Sequence, residues 1–122
     1  MSGEESRRLG RWGEDLAAAF LEEKGCRIVD RNWKCRCGEL DLVARDRSGT
    51  VCFVEVKLRQ AGSAALPREA VDPRKQQRLR SAAAMYLSQH ELDAPARFDV
   101  AEVYTDENHR ITGVIYLADA FQ

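Results

Sequence analysis

Val51-Cys52-Phe53-Val54-Glu55-Val56-Lys57 is an apolar run with a carboxylate and an ammonium set into it. Side chains alternate across a strand, so Glu55 and Lys57 share one face with Val51 and Phe53, while Cys52, Val54, Val56 and Leu58 take the other. Both faces are largely apolar, which is the mark of a strand covered on both sides. Burying an acid and a base there costs several kcal/mol unless a partner or a metal compensates. The strand is therefore expected to lie between two layers, with something opposite Glu55 that offsets its burial.

Upstream, Glu39-Leu40-Asp41-Leu42-Val43-Ala44-Arg45 reads as another strand. The connection Asp46-Arg47-Ser48-Gly49 is short and rich in turn formers, so the two strands are expected as a hairpin. Before them, Cys26 to Arg31 reads as a short first strand, followed by a polar turn from Asn32 to Gly38. Residues from about 4 to 24 read as a helix, with Leu9, Trp12 or Gly13, Leu16 and Phe20 at helical spacing and Gly25 as a natural stop. Downstream, residues 58–71 contain Gly62, Ser63 and Pro67 without a clear period and read as a long, mobile connection. Asp72-Pro73 then supplies an N-cap and a proline at the first helical position, and Leu79, Ala82, Ala83, Tyr86 and Leu87 form an apolar stripe down to His90. Ala94-Pro95 breaks this helix. Phe98, Val100 and Val103, and then Ile111, Val114, Ile115 and Leu117, mark two more strands around Asp106-Glu107-Asn108-His109. The order predicts an α/β fold: a mixed five-stranded sheet flanked by helices, with a parallel join where the second helix crosses between the third and fourth strands. The 122 residues suffice for one domain.

Composition narrows the function classes. A hydrophobic content of 44% and a charged content of 32% are ordinary for a globular chain, and no apolar stretch approaches the ~20 residues a membrane span needs. The charged N-terminus is unlike a secretory signal, so a cytoplasmic location is expected. Cys26, Cys35, Cys37 and Cys52 lack the paired short spacings of a zinc site, and His90 and His109 lie far from them. Cys26 and Cys52 read as small buried hydrophobes, and Cys35-Arg36-Cys37 as a loop in a reducing compartment. A net charge of −1 argues against a general polyanion binder. Its distribution is uneven, because residues 57–80 gather Lys57, Arg59, Arg68, Arg74, Lys75, Arg78 and Arg80 against Glu69 and Asp72. That segment reads either as a phosphate-facing surface or as a solvated helix face balanced by the acidic C-terminal strands.

The acids carry the chemistry. The midpoint between Asp41 and Glu55 falls at Ser48, in the turn, so the two carboxylates face each other to within one residue; a slip of one would separate their faces. Cross-strand neighbours come within about 5 Å. Two carboxylates that close repel, and a divalent cation between them removes the repulsion, with magnesium or manganese suited to an all-oxygen site. Lys57, on the same face, is placed to hold an attacking water or to offset charge on a phosphate.

Asp41 followed by Glu55-Val56-Lys57 resembles the active-site pattern of the PD-(D/E)XK nuclease superfamily. The surrounding words are more specific: Gly13-Glu14, Gly38-Glu39-Leu40-Asp41-Leu42-Val43-Ala44, Phe53-Val54-Glu55-Val56-Lys57-Leu58-Arg59, Val71-Asp72 with Lys75-Gln76 and Arg78-Leu79, and Arg97-Phe98-Asp99-Val100. Over nearly the whole chain these resemble the UPF0102, or YraN-like, family of small bacterial proteins. Leu40 stands where isoleucine is common and Lys34 where arginine is common, and neither touches the acids. The resemblance implies a restriction-endonuclease-like core related to archaeal Holliday junction resolvases, and a Mg2+- or Mn2+-dependent endonuclease acting on DNA, including branched or distorted DNA. In that reading Asp41 and Glu55 are metal ligands, Lys57 orients water or stabilises charge, Glu14 is the acid given by the first helix, and Gln76 is the polar residue given by the second. Asn32, Arg36, Arg59, Lys75 and Arg78 are expected at the nucleic acid, and cutting both strands would call for a homodimer.

Plainer roles stand beside these. Glu14 also reads as a solvated helix residue, Glu39 as a strand-end charge, Gln76 as an exposed helix residue, Trp33 as an anchoring aromatic instead of a base-stacking one, and Asp99 as structural. A nucleic-acid-binding module without chemistry, or a protein adaptor, are the competing functions.

Overall fold

The computed structural model describes residues 3–60 and 71–122. The centre of the expected mobile connection lies outside the described residues. The elements are α1 (Gly3–Glu23), β1 (Arg27–Cys35), β2 (Gly38–Arg45), β3 (Val51–Gln60), α2 (Pro73–Gln89), β4 (Ala96–Thr105) and β5 (Ile111–Phe121). They form one sheet in the order β1-β2-β3-β4-β5. Among the described residues only β3 and β4 run parallel, from Val51↔Ala96 to Gln60↔Thr105, because α2 carries the chain across between them. The expected α/β architecture, mixed sheet included, is the one observed.

Alternation along β3 divides the interior in two. Val51 and Phe53 join Leu79, Ala82, Ala83, Tyr86 and Val100 under α2, whereas Cys52 and Val54 join Ala17, Ala18, Leu21 and Ala101 under α1. The end of α1 is closed by Gly25 at φ +90°, with Cys26 N–H donating to the Leu21 carbonyl and Gly25 N–H to that of Glu22. This pairing is the hydrogen-bond pattern of a glycine helix stop. The start of α2 is Asp72, whose carboxylate accepts from Lys75 N–H at 2.9 Å, followed by Pro73.

Two expectations need correction. The buried row of α1 is Leu9, Gly13, Ala17, Ala18 and Leu21, while Trp12 and Leu16 are 60% and 39% exposed. Small residues set that row: a Cβ on Gly13 would stand 3.2 Å from Leu58 Cδ2, so the helix lies close to β3 there and larger side chains are left at its flank. β1 also continues past Arg31 to Cys35, with Trp33↔Leu40 and Cys35↔Gly38 in register. Trp33 holds the extension in place by packing edge-on against Tyr86, centroids 5.2 Å apart, and so is an anchor.

Asp99 is fully buried and structural, as expected. Its carboxylate accepts from Tyr116 Oη at 2.6 Å, Asp119 N–H at 2.8 Å and Arg97 Nε at 3.1 Å, which fastens β5 to β4 where their register shifts. Asp99→Ala leaves these donors without an acceptor and should destabilise the fold by about 3–5 kcal/mol, measured by urea unfolding.

Candidate active site

The site lies where β2 and β3 part. Their ladder is regular from Arg45↔Val51 to Leu42↔Val54, and its continuation sets Asp41 against Glu55. Instead of a further backbone bond, Asp41 Oδ2 accepts the Val56 N–H at 2.8 Å. The pleat changes at the same place. Leu42 belongs to the interior under α1 but Leu40 to that under α2, although two residues two apart on a regular strand share a face. On β1, Arg31 reaches Glu14 and Asp15 of α1 while Trp33 packs under α2. Between them Asn32 has φ 51°, a left-handed conformation that asparagine tolerates. The rungs Arg31↔Leu42 and Trp33↔Leu40 bracket Asn32 and Asp41, so both strands turn over together and Asp41 is left at the seam.

The pocket there is lined by Gly38, Glu39, Asp41, Glu55, Lys75, Arg78 and Leu79. Glu55 is buried at 6% exposure, and Lys75 Nζ lies 2.7 Å from its Oε1. Burial, then the charge of Glu55, push the Asp41 carboxyl up to about 7 against the pull of the Val56 N–H, and Glu14 and Glu39 add to the rise. Burial lowers the Lys75 ammonium, but its bond to Glu55, the charge of Glu55, the contact with Lys57 and the charge of Asp41 together outweigh this, and the group ends above its ordinary value. Lys57 is held below its ordinary value by burial and then by Lys75, which is in hydrogen-bonding range.

The residues named from sequence fall into two groups. Asp41 and Glu55 line the pocket, Lys57 stands next to Lys75 beside it, and Glu14 lies near Asp41, its Oε1 accepting from Asn32 Nδ2 at 3.0 Å. Asn32 thus positions an acid, where a phosphate contact was expected. Arg78 lies at the pocket and Arg36 on the exposed turn after β1. Gln76 is engaged elsewhere: its Nε2 donates to the Val71 carbonyl at 3.0 Å and its Oε1 accepts from Arg80 at 3.2 Å. The residue that α2 directs at the acids is Lys75, one position earlier, which sequence had placed at the nucleic acid. Arg59 bonds the fully buried Glu102, Nε to Oε2 at 2.9 Å. Glu102 was missed from sequence. It lies beside Lys57 across the parallel rung, and its Oε1 has no hydrogen-bond partner among the described residues. Burial raises its carboxyl, against the pull of Arg59. Only the β3–β4 register could have revealed it.

The chain is thus an α-β-β-β-α-β-β fold in one mixed sheet, with an acid on β2 facing an acid and a lysine on β3. A family model described as "Uncharacterised protein family UPF0102" matches residues 13–103, and the chain belongs to that family. A UPF0102 protein of Nocardia farcinica is 50% identical over 105 residues, covering 84% of this chain and 80% of the relative. One from Syntrophus aciditrophicus is 48% identical over 97 residues, covering 79% and 76%. Among solved structures, the EndoMS-dsDNA2 complex is similar with TM-score 0.40 and 18% identity, over 68% of this chain and 32% of that one. SfsA of Pyrococcus furiosus in complex with Ca2+ is similar with TM-score 0.37 and 14% identity, over 93% and 63%. No helix among the described residues is long and apolar enough to cross a membrane.

The raised Asp41 carboxyl has a signed consequence. Between about pH 4 and pH 7 the folded protein keeps a proton on Asp41 that the unfolded chain has lost, so without metal its stability falls as pH rises through this window. Asp41→Asn should flatten that decline, read as the melting temperature between pH 4 and pH 8 in the presence of chelator.

Proposed function

We propose that this protein is a metal-dependent endonuclease that hydrolyses phosphodiester bonds in DNA. The observation that carries the reading is the pairing of Asp41 with Glu55 in a pocket that also holds Lys75 and Arg78. An acid pair that resists double ionisation, beside cations, is what a site for a divalent cation and a phosphate requires.

The donors fit magnesium or manganese in a modest sense. Mg2+ is commonly bound through one or two carboxylates and keeps several waters. Asp41 and Glu55 supply two all-oxygen ligands, and no group of three or more His, Cys, Asp or Glu side chains poised for a metal occurs among the described residues. When bound, the cation supplies Lewis-acid polarisation of a phosphoryl oxygen. The chain's own residues do the rest. Val56 N–H fixes the direction of the Asp41 carboxylate, and Glu14 adds negative charge behind it. Lys57 holds a water or offsets charge developing on the phosphate. Arg78 and the N-terminal turn of α2, which favours anions, face the phosphate itself. A preference for branched or distorted DNA follows from the family resemblance, so junctions belong among the substrates tested.

Labelled linear, flapped and four-way-junction DNA, incubated with magnesium or manganese, tests the reading. Cutting should need the metal and fall about 100-fold or more in Asp41→Asn and in Glu55→Gln, with circular dichroism unchanged. Because Lys75 occupies Glu55, a binding module without chemistry is the second reading. It would be favoured if wild type bound these DNAs in a salt-sensitive way without cutting any of them.

A further inference from the structure

Lys75 stands where helix electrostatics disfavour it. It lies in the first turn of α2, which has no acidic residue and carries Arg74 as well, and the positive end of a helix repels an ammonium. Its backbone is pinned by the N–H bond to Asp72, so the side chain starts from a fixed point. From there Nζ reaches Glu55 at 2.7 Å while its side chain stays 32% exposed, and it also approaches Lys57. Two neighbouring ammonium groups repel, and the carboxylate of Glu55 is what holds Lys75 beside its fellow cation.

We propose that Lys75 couples metal binding to phosphate binding: its ammonium neutralises Glu55 while the acid pair holds no divalent cation, and transfers to a substrate phosphate when one enters, leaving Glu55 to the metal. The inference rests on the nuclease reading above. A divalent cation and an ammonium cannot both sit against Glu55 Oε1 without strong repulsion, so one must yield. A phosphate offers Lys75 another acceptor within reach of the same flexible stem. Metal and phosphate thus each remove an obstacle to the other. Such coupling is reciprocal and can be read from either ligand.

Manganese affinity is measured by isothermal titration calorimetry for wild type and Lys75→Met. Fluorescence anisotropy of a cleavage-resistant phosphorothioate DNA junction is measured without metal and at saturating manganese. Lys75→Met should bind manganese alone about 5- to 50-fold more tightly, and the factor by which manganese tightens DNA binding should drop about 5-fold or more. Circular dichroism checks folding, and Lys75→Gln, which keeps a neutral donor, replaces the methionine variant if that one does not fold. Equal manganese affinity with an unchanged coupling factor overturns the proposal and leaves the nuclease reading standing. Absence of manganese binding by both proteins overturns the metal reading, and the proposal with it.

Discussion

The hydrogen bond from Val56 N–H to Asp41 is the constraint on which the site depends. β3 keeps its partnership with β4 as far as Gln60, but its ladder with β2 ends at Val54. A backbone N–H at the end of a ladder inside a protein needs an acceptor. Asp41 provides it with a side chain, which lets β2 turn its pleat over and leave β3. A charged bond of this kind is worth about 1.5–3 kcal/mol. The same carboxylate therefore closes the sheet and opens the pocket. It can face Glu55 because it has stopped behaving as an ordinary strand residue.

Charges on the α2 side of the sheet then alternate in space. Glu55 meets Lys75, Lys57 lies beside Glu102 across the parallel rung, and Glu102 meets Arg59. Glu55 and Glu102 each have a base next to them, which is how β3, with apolar neighbours, tolerates three charged side chains on one face. The arrangement also sets Lys75 and Arg78 at the pocket rim beside the exposed Glu39. The acids are buried at 6% and 0% exposure, whereas Lys75 and Arg78 retain access to solvent.

Sequence periodicity revealed most of the fold because the strands and α2 carry strong local signals: alternation in β3, Asp72-Pro73 at the start of α2, Gly25 at the end of α1. The hairpin midpoint at Ser48 also gave the correct facing of Asp41 and Glu55, since Leu42↔Val54 has the same midpoint. What escaped depends on long-range packing. Trp12 carries the apolar character of a core residue, and only the close approach at Gly13 decides that it stays outside. Lys75 and Gln76 are adjacent on one helical turn, and the angle of α2 on the sheet selects which faces the acids. Glu102 follows from the register of a parallel join, which no local pattern encodes.

Charge balance accounts for how the fold carries this acid pair without a metal. Lys75 compensates Glu55, and Asp41, which has a backbone donor but no ion pair among the described residues, is the carboxyl that takes a proton near neutrality. The pair is then neutral as a unit: one proton and one ammonium offset two carboxylates. A divalent cation carries the charge of both at once, so its entry would release the proton and the ammonium with no net change inside the pocket. A monovalent ion would replace only one of the two positive charges at a time. On the proposed nuclease reading, one divalent ion matches the two positive charges that the seam between β2 and β3 already contains, before any detail of ligand geometry.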